Sequence, residues 1–395
     1  MEVLQTSALP LGYITIIDYT TGINVTHTLV IDYKSFDEDL LKLEANYSYK
    51  SDEVYYYNVH RQKALILKLQ QRFDFFDYST LPLIFSNIHE EIESYEVLKK
   101  KGTGHVIILV RTTSGRDLVL RVNLLIDEPE HYMNLEKIFI QKFASIGIGS
   151  SEVLFSDTSR KQVPFDYQIM ERLIGKGLGE EWEGTQSDYD AISTQFGANA
   201  AKMYKLPGKG WGRLRQNATG ELYGTKNSLV EYLTTYLEHD LEMIQLFKFI
   251  SVQDAEKIHN YFYSPAISDL FGSSTQSYFI HNDPSDLNMR YEGNKLVAVF
   301  DWENAAMYDP ICELGSASTW TVQYPKDEQM IAGFVQELGY TPDNLQEKMS
   351  VYFLRKMLDK VQFALRGERL AEKHIRLFAE GCKRNGLDVK VLVTL

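Results

Sequence analysis

Apolar and polar residues alternate along much of the first half of the chain, in the pattern that predicts β-strands. Residues 105–124 hold two apolar, β-branched runs around a Ser-Gly turn and predict a hairpin. Residues 163–173 predict a further strand, and apolar residues at helical spacing after Pro129 predict a helix between them. Residues 12–33 predict an earlier hairpin, so the first half of the chain is β-rich.

Helical periodicity dominates the second half of the chain. Helices are predicted at 188–205, 228–249, 253–271, 326–338, 343–366 and 368–384. They are interrupted at residues 278–301 by a strand, a loop and a tight hairpin. The pattern therefore predicts an α+β fold with a β-rich lobe, followed by a mainly helical lobe that holds one inserted hairpin.

Changes in periodicity divide the chain into three predicted segments. Residues 1–85 form an N-terminal α/β extension without an assigned role, ending in an apolar connector at residues 81–85. Residues 86–175 form the β-rich lobe, which opens with a short helix capped by Asn87 and Glu90. Residues 176–395 form the helical lobe.

Charge and composition narrow the possible functions. The 395 residues include 41 basic and 54 acidic residues, a net charge of −13, which disfavours nucleic acid and anionic membrane surfaces and favours a cationic small molecule. No apolar run is long enough to span a bilayer, and no basic residue precedes the apolar stretch at the N-terminus. Cys312 and Cys382 form no recognisable pairing, which fits a cytoplasmic protein.

The inserted hairpin carries the candidate chemistry. If the chain turns at Gly293, Asn288 and Asp301 lie nearly opposite each other on neighbouring strands. An amide oxygen beside a carboxylate suits Mg²⁺ that bridges substrate phosphates. Asp283, on the preceding loop, is placed to accept a proton from a substrate hydroxyl. The spacing therefore predicts phosphoryl transfer.

Two segments of this region, HNDPSDLN at 281–288 and VFDWENAAMYDP at 299–310, carry a family resemblance. They resemble the aminoglycoside phosphotransferase and choline kinase superfamily, whose members have a bilobal fold similar to protein kinases. The resemblance implies that Asp283 is the catalytic base, that Asn288 and Asp301 are catalytic Mg²⁺ ligands, and that His281 is a structural residue of the loop. Glu303 and Asp309 are implied to be structural or substrate-side residues.

The resemblance extends upstream to the expected nucleotide site. Gly102 and Gly104 match a glycine-containing turn over the nucleotide, and Arg121 stands where the family has a basic residue for the ATP phosphates. Glu136 is the expected ion-pair partner of Arg121, although an ordinary surface pair is the alternative. Tyr204 stands where the family usually has a histidine.

The segment YQIMERLIG resembles the connection between the lobes. Its backbone around Met170, Glu171 and Leu173 is expected to bind adenine.

The resemblance implies an ATP-dependent, or possibly GTP-dependent, kinase that uses Mg²⁺ and acts on a hydroxyl of a small, cationic molecule. An aminoglycoside-like antibiotic is the favoured substrate, with choline, ethanolamine or thiamine as alternatives. A rival hypothesis is a pseudokinase-like nucleotide-binding scaffold, with a partner or a second copy bound through residues 1–85. A protein kinase is disfavoured because the sequence has no Asp-Phe-Gly or Ala-Pro-Glu string.

Overall fold

The computed structural model of the protein describes most of the chain from residue 72 onward. The described ranges are 72–99, 105–124, 132–320, 323–366 and 369–393. The hairpin predicted at residues 12–33 lies outside them. Within these ranges, no helix is long and apolar enough to cross a membrane.

An antiparallel five-stranded sheet forms the first half of the fold. Its strands are β1 (Ile92–Val97), β2 (Val106–Thr112), β3 (Asp117–Asn123), β4 (Val153–Asp157) and β5 (Asp166–Glu171), in the order β1-β2-β3-β5-β4. The predicted hairpin is β2–β3, and Gly115 in its turn has a φ of 91°, which glycine adopts without steric cost. Alternate residues of β2 and β3 are buried, so one face of the sheet forms a core.

Residues 72–86 cover that buried face. Phe73, Phe76, Leu81, Ile84 and Phe85 belong to the same hydrophobic cluster as β2, β3 and β5. The last part of the predicted N-terminal extension therefore packs as part of the sheet's own core.

Two local predictions in this region are wrong. The apolar stretch predicted as a connector is helix α1 (Leu81–Ser86), which begins with Pro82 in its first turn, where the missing N–H is not needed. Asn87 ends this helix instead of starting one, and its side chain donates to the carbonyl of Ile84 at 3.0 Å. The Glu90 side chain, predicted to cap the same helix, instead accepts a hydrogen bond from the Ser114 hydroxyl in the β2–β3 turn at 2.6 Å.

Helix α2 (Tyr132–Ser145) follows β3, as predicted, and leads to a tight contact with the inserted hairpin. The carbonyl of Gly149 accepts the N–H of Val299 at 2.9 Å. A Cβ atom at Gly149 would lie 2.3 Å from the carbonyl oxygen of Val297, so only glycine fits.

The second half contains more β-structure than the sequence predicts. Besides the short strand β6 (Lys176–Gly177), it has a hairpin of β7 (Trp211–Gln216) and β8 (Leu222–Lys226). Strands β9 (Tyr278–Ile280), β10 (Met289–Glu292), β11 (Lys295–Val299) and β12 (Ala306–Tyr308) complete two sheets, ordered β11-β10-β6 and β8-β7-β12-β9. The prediction of a single inserted hairpin is therefore wrong, because polar and glycine residues in β7 and β8 obscure their alternation.

The helices of the second half follow the predicted positions with two breaks and one addition, the helix Ile311–Ala317, which the sequence did not predict. They are α3 (Gln186–Lys202), α4 (Leu229–Thr234), α5 (Leu237–Leu246), α6 (Val252–Phe262), α7 (Pro265–Gly272), α8 (Ile311–Ala317), α9 (Asp327–Leu338), α10 (Leu345–Arg366) and α11 (Glu372–Arg384). The helix predicted at 228–249 is two helices, and the one predicted at 253–271 is divided at Pro265, whose ring disfavours a helical residue before it.

The described residues form two compact units. One comprises residues 72–233 and 268–353, and the other comprises residues 234–267 and 354–393. In the second unit, Phe249 and Phe378 pack edge to face, and Arg355 pairs with the buried Asp240 at 2.7 Å. The predicted segment boundaries at residues 85 and 175 stay predictions.

Candidate active site

The loop between β9 and β10 places a carboxylate beside an amide. The side-chain nitrogen of Asn288 donates to the backbone carbonyl of Asp283 at 3.1 Å and to its carboxylate at 3.3 Å. The amide oxygen of Asn288 makes no hydrogen bond within the described part of the chain. The Asn288 side chain therefore orients the candidate base and keeps its own amide oxygen available.

His281 holds this loop through hydrogen bonds to the backbone. Its Nδ1 accepts the backbone N–H of Asp283 at 3.2 Å, so Nε2 carries the proton that is donated to the carbonyl of Phe300 at 2.9 Å. The neighbouring Asn282 has a left-handed φ of 64°, a conformation that asparagine tolerates better than most residues. Both ring nitrogens of His281 are used in holding the loop.

The register of β10 and β11 brings Asp301 to the same end of the hairpin. Met289 pairs with Val299, and the N–H of Phe300 donates to the carbonyl of Asn288 at 3.0 Å. Asp301 follows directly with φ 66° and ψ 60°, which ends the strand and turns the chain.

Arg121 lies at the centre of a cluster of carboxylates. Its guanidinium donates to Glu136 at 2.6 Å, to Glu303 at 2.7 Å and to Asp301 at 3.1 Å. The side chains of Arg121 and Glu136 are only 9% and 2% exposed, so this pair is buried and is not an ordinary surface ion pair. The imidazole of His105 contacts the same oxygen of Glu303 at 3.0 Å.

Trp302 locks the segment that carries Asp301. Its backbone N–H donates to the second carboxylate oxygen of Glu136 at 3.0 Å, and its indole N–H donates to Ser150 at 2.8 Å. The indole also stacks on Phe143 of α2, with ring centroids 4.1 Å apart. Helix α2 therefore holds Glu136 and the Asp301 segment as one packed assembly.

One guanidinium does not balance three carboxylates at this site, where Glu136 is buried and the side chains of Asp301 and Glu303 are 35% and 28% exposed. Burial, reinforced by the negative charge of Glu303, raises the pKa of Asp301 well above its usual range. Burial would also raise the pKa of Glu303, but the hydrogen bond with His105 and the charge of Arg121 outweigh it and lower the pKa to about 2. The excess of negative charge lies beside Asp301, where a cation would relieve it.

The donor set around Asp301 fits Mg²⁺ that is shared with phosphates. Among the described residues, no group of three or more His, Cys, Asp or Glu side chains is placed to hold a metal. Mg²⁺ typically takes one or two protein carboxylates and completes its shell with water and substrate phosphates. Asp301 and the amide oxygen of Asn288 match that requirement.

The three residues expected to bind adenine, Met170, Glu171 and Leu173, differ in the hydrogen bonds that their backbones make. The N–H of Glu171 donates to the carbonyl of Glu152, and its carbonyl accepts the Ser151 hydroxyl. Met170 is paired within the sheet. The backbone of Leu173 makes no hydrogen bond within the described ranges. Gly102 and Gly104 lie outside the described residues, so the predicted glycine turn stays a prediction.

Asp309 is a buried anchor at the start of α8. Its carboxylate accepts hydrogen bonds from the hydroxyl groups of Tyr204 at 3.2 Å and Tyr352 at 3.0 Å, and from the N–H of Ile311 at 3.0 Å. Burial raises the pKa of Asp309. These contacts support a structural role for Asp309.

Two contributors to the site escape sequence reasoning. His105 follows directly after the glycine turn, and that adjacency was its only signal. Glu313 is fully buried and accepts the N–H of Asn282 at 2.6 Å. It lies in the first turn of α8, four residues after Asp309.

A sheet-borne arginine paired with a buried glutamate, together with an Asp-x-x-x-x-Asn loop and a following aspartate, defines a kinase-like phosphotransferase. The chain belongs to the phosphotransferase enzyme family, whose model matches residues 101–348. The predicted family is thereby confirmed.

Solved structures share the fold at low sequence identity. Aminoglycoside phosphotransferase APH(4)-Ia, in a ternary complex with AMP-PNP and hygromycin B, is 16% identical with a TM-score of 0.55, over 78% of this chain and 97% of that one. A putative fructosamine-3-kinase from Thermobifida fusca is 13% identical with a TM-score of 0.55, over 77% and 100%. Macrolide 2'-phosphotransferase MphH from Brachybacterium faecium is 14% identical with a TM-score of 0.52, over 76% and 97%. The α+β, kinase-like fold is confirmed.

A curated relative matches over a shorter range. The subtelomeric hrmA-associated cluster protein of Aspergillus fumigatus is 27% identical over 131 residues, or 32% of this chain. The chain spans about a quarter of the length of that relative, 24%.

Proposed function

We propose that this protein transfers the γ-phosphoryl group of ATP to a hydroxyl of a small cationic molecule, with an aminoglycoside-like compound as the favoured acceptor. The observation that carries the proposal is the contact between the Asn288 amide and the Asp283 carboxylate at 3.3 Å. The pairing of β10 with β11 brings Asp301 to the same end of the hairpin. This arrangement supports the proposal, because a base and two oxygens for a cation would then lie at the same end of the hairpin.

In this proposal, Asp283 orients the acceptor hydroxyl and takes its proton while the new oxygen–phosphorus bond forms and the bond to the β-phosphate oxygen breaks. Asn288 and Asp301 would hold Mg²⁺, which would neutralise charge on the phosphates when bound. Arg121 supplies a fixed positive charge for the same phosphates, oriented by Glu136 and Glu303. Leu173 offers its backbone to the purine base.

The similar structures and the charge of the chain support the choice of nucleotide and acceptor. Three of the similar structures, all of APH(4)-Ia, hold AMP-PNP or ADP together with hygromycin B, which supports an adenine nucleotide and an aminoglycoside-like acceptor. The net charge of −13 favours a cationic acceptor as well. GTP, and choline, ethanolamine or thiamine, stay as the alternatives.

The test measures nucleotide consumption with Mg²⁺ by the purified full chain, with ATP and with GTP. The acceptor panel contains aminoglycosides, macrolides, glycated amines, choline, ethanolamine and thiamine. We expect one acceptor class to stimulate turnover, and the isosteric variants Asp283→Asn and Asp301→Asn to lower kcat by at least about 100-fold. Asp117→Asn is the matched control, because that carboxylate is 49% exposed on the far end of β3.

Wild-type-like turnover by Asp301→Asn would contradict the metal assignment. If calorimetry shows Mg²⁺-dependent ATP binding but no acceptor stimulates turnover, the pseudokinase-like scaffold becomes the better account. A search for a partner of residues 1–85 would then be the next step.

A further inference from the structure

A second ion pair lies inside the loop that carries the candidate base. Asp286 stands between Asp283 and Asn288 and is only 1% exposed. One carboxylate oxygen contacts the ammonium group of Lys326, and the other accepts the hydroxyl of Tyr189 at 2.7 Å. The side chain of Lys326 is itself only 3% exposed, so the charges of both residues are enclosed by protein.

Tyr189 and Lys326 lie in or next to two helices that pack backbone to backbone. Tyr189 lies in the first turn of α3, and Lys326 directly precedes α9. At the crossing of these helices, a Cβ atom at Gly197 would lie 1.9 Å from the Met330 carbonyl oxygen. A contact this close leaves little freedom for one helix to move against the other.

Asp286 also begins the short 3-10 helix that ends at Asn288. Within this turn, the N–H of Asn288 donates to the carbonyl of Ser285 at 2.9 Å. Any shift of Asp286 is therefore transmitted within two residues to the amide that contacts Asp283.

A buried ion pair contributes little net stability, because the cost of removing two charges from water offsets their attraction. An apolar replacement is often as stable, so a stability role alone does not account for this pair. A positioning role is another account. Both carboxylate oxygens of Asp286 are held, one by Lys326 and the other by Tyr189, and the two partners are attached to a rigid pair of helices.

We infer that Lys326, through Asp286, is a positioning residue that anchors the 3-10 helix to α3 and α9 and so holds Asn288 against Asp283. This inference rests on the proposed function for its kinetic consequence. It makes no use of either side chain as a ligand for substrate or metal.

The principal test is the double variant Asp286→Asn/Lys326→Met, which removes both charges and keeps an acceptor for Tyr189. We expect a melting temperature near that of wild type and a nucleotide KM within about twofold, while kcat falls about 10-fold to 100-fold because the base and the amide lose alignment. Lys205→Met is the matched control. It breaks an ion pair with Glu337 whose lysine is 60% exposed, and it should leave kcat unchanged.

Tyr189→Phe supplies a second variant that keeps both charges and is expected to fold. It should lower kcat by a few-fold at unchanged KM, because one anchor of Asp286 is lost. Wild-type kcat in either variant would overturn the inference.

Amide hydrogen exchange gives a readout that does not need turnover. In the double variant, exchange of residues 283–288 should rise at least about tenfold, while that of α3 stays at the wild-type rate. Unchanged exchange in the loop overturns the inference even for an active enzyme. If the wild type shows no turnover and the double variant shows the expected rise in exchange, the proposed function is contradicted and the positioning role is supported.

Discussion

Arg121 carries one positive charge and forms ion pairs with three carboxylates of the site, those of Glu136, Asp301 and Glu303. Although burial lowers the pKa of Arg121, the surrounding carboxylates raise it by more, so the guanidinium stays charged. The planar guanidinium has five donors in fixed directions and suits several carboxylates at once, whereas the ammonium group of a lysine has three. The residue is therefore both a structural hub and a candidate phosphate ligand.

Arg121→Met should leave this carboxylate cluster without its counter-charge. We expect the free energy of unfolding to fall by about 3–5 kcal/mol, the usual cost of breaking a buried ion pair by removing one partner. Urea denaturation at pH 7 measures the change. The same variant should lose nucleotide-dependent turnover.

Arg111→Met is the matched control on the neighbouring strand. Arg111 pairs with Asp117 at 2.9 Å, and their side chains are 46% and 49% exposed. Its removal should cost less than about 1 kcal/mol. Equal losses from the two arginine variants would contradict the buried network at Arg121.

The N-terminus of α11 depends on a neutral histidine. The Nδ1 of His374 accepts the N–H of Ala371 at 3.0 Å, and burial, aided by Lys373 and Lys360, lowers the pKa of His374 to about 4. Because the folded pKa is below the unfolded value of about 6.5, the stabilisation is complete above pH 6.5 and is lost as the pH falls toward 4.

Thermal unfolding at pH 7 and pH 4.5 tests this element. The wild type should lose more stability between the two pH values than His374→Gln, which cannot be protonated there. An identical pH dependence in both proteins would show that His374 does not titrate in this way.

The crossing of α3 and α9 requires glycine on both helices. A Cβ atom at Gly333 would lie 1.9 Å from the Thr194 carbonyl oxygen, and Gly197 meets the same constraint on α3. Gly197→Ala or Gly333→Ala should therefore cost at least about 1–3 kcal/mol through overpacking. Gly272→Ala is the control, since its Cβ would meet no atom within 4 Å. A thermal shift as small as that of the control would contradict the close crossing.

At the scale of the molecule, residues 72–86 belong to the fold of the five-stranded sheet. They contribute five buried apolar side chains to its core, and each such side chain stabilises a fold by about 1.5–3 kcal/mol. A protein lacking residues 1–86 should therefore lose several kcal/mol relative to one lacking only residues 1–71. That difference approaches the total stability of an ordinary domain.

Solubility and thermal unfolding of the two truncated proteins measure this contribution. The comparison isolates residues 72–86, because both proteins lack the same first 71 residues. Equal stability of the two proteins would show that this segment is not part of the core.

The sequence by itself determined the family, the α+β class, most helices and the hairpin register that brings Asn288 near Asp301. These properties depend on short-range patterns: the period of apolar residues, the position of a turn, and the spacing of polar residues in a loop. Where short-range signals conflicted, as at Leu81–Phe85 or in β7 and β8, prediction failed because tertiary packing overrides weak local preference.

Only the tertiary structure decided which distant residues meet. His105 and Glu303 are separated by 198 positions, Arg121 and Asp301 by 180, and no local pattern encodes such contacts. Only the structure shows that the Arg121–Glu136 pair is buried, because the same separation in the sequence would be found in an exposed ion pair. The residue types of the loop between β9 and β10 are set by a short stretch of sequence. Their orientation and charge balance depend on distant side chains that folding brings together.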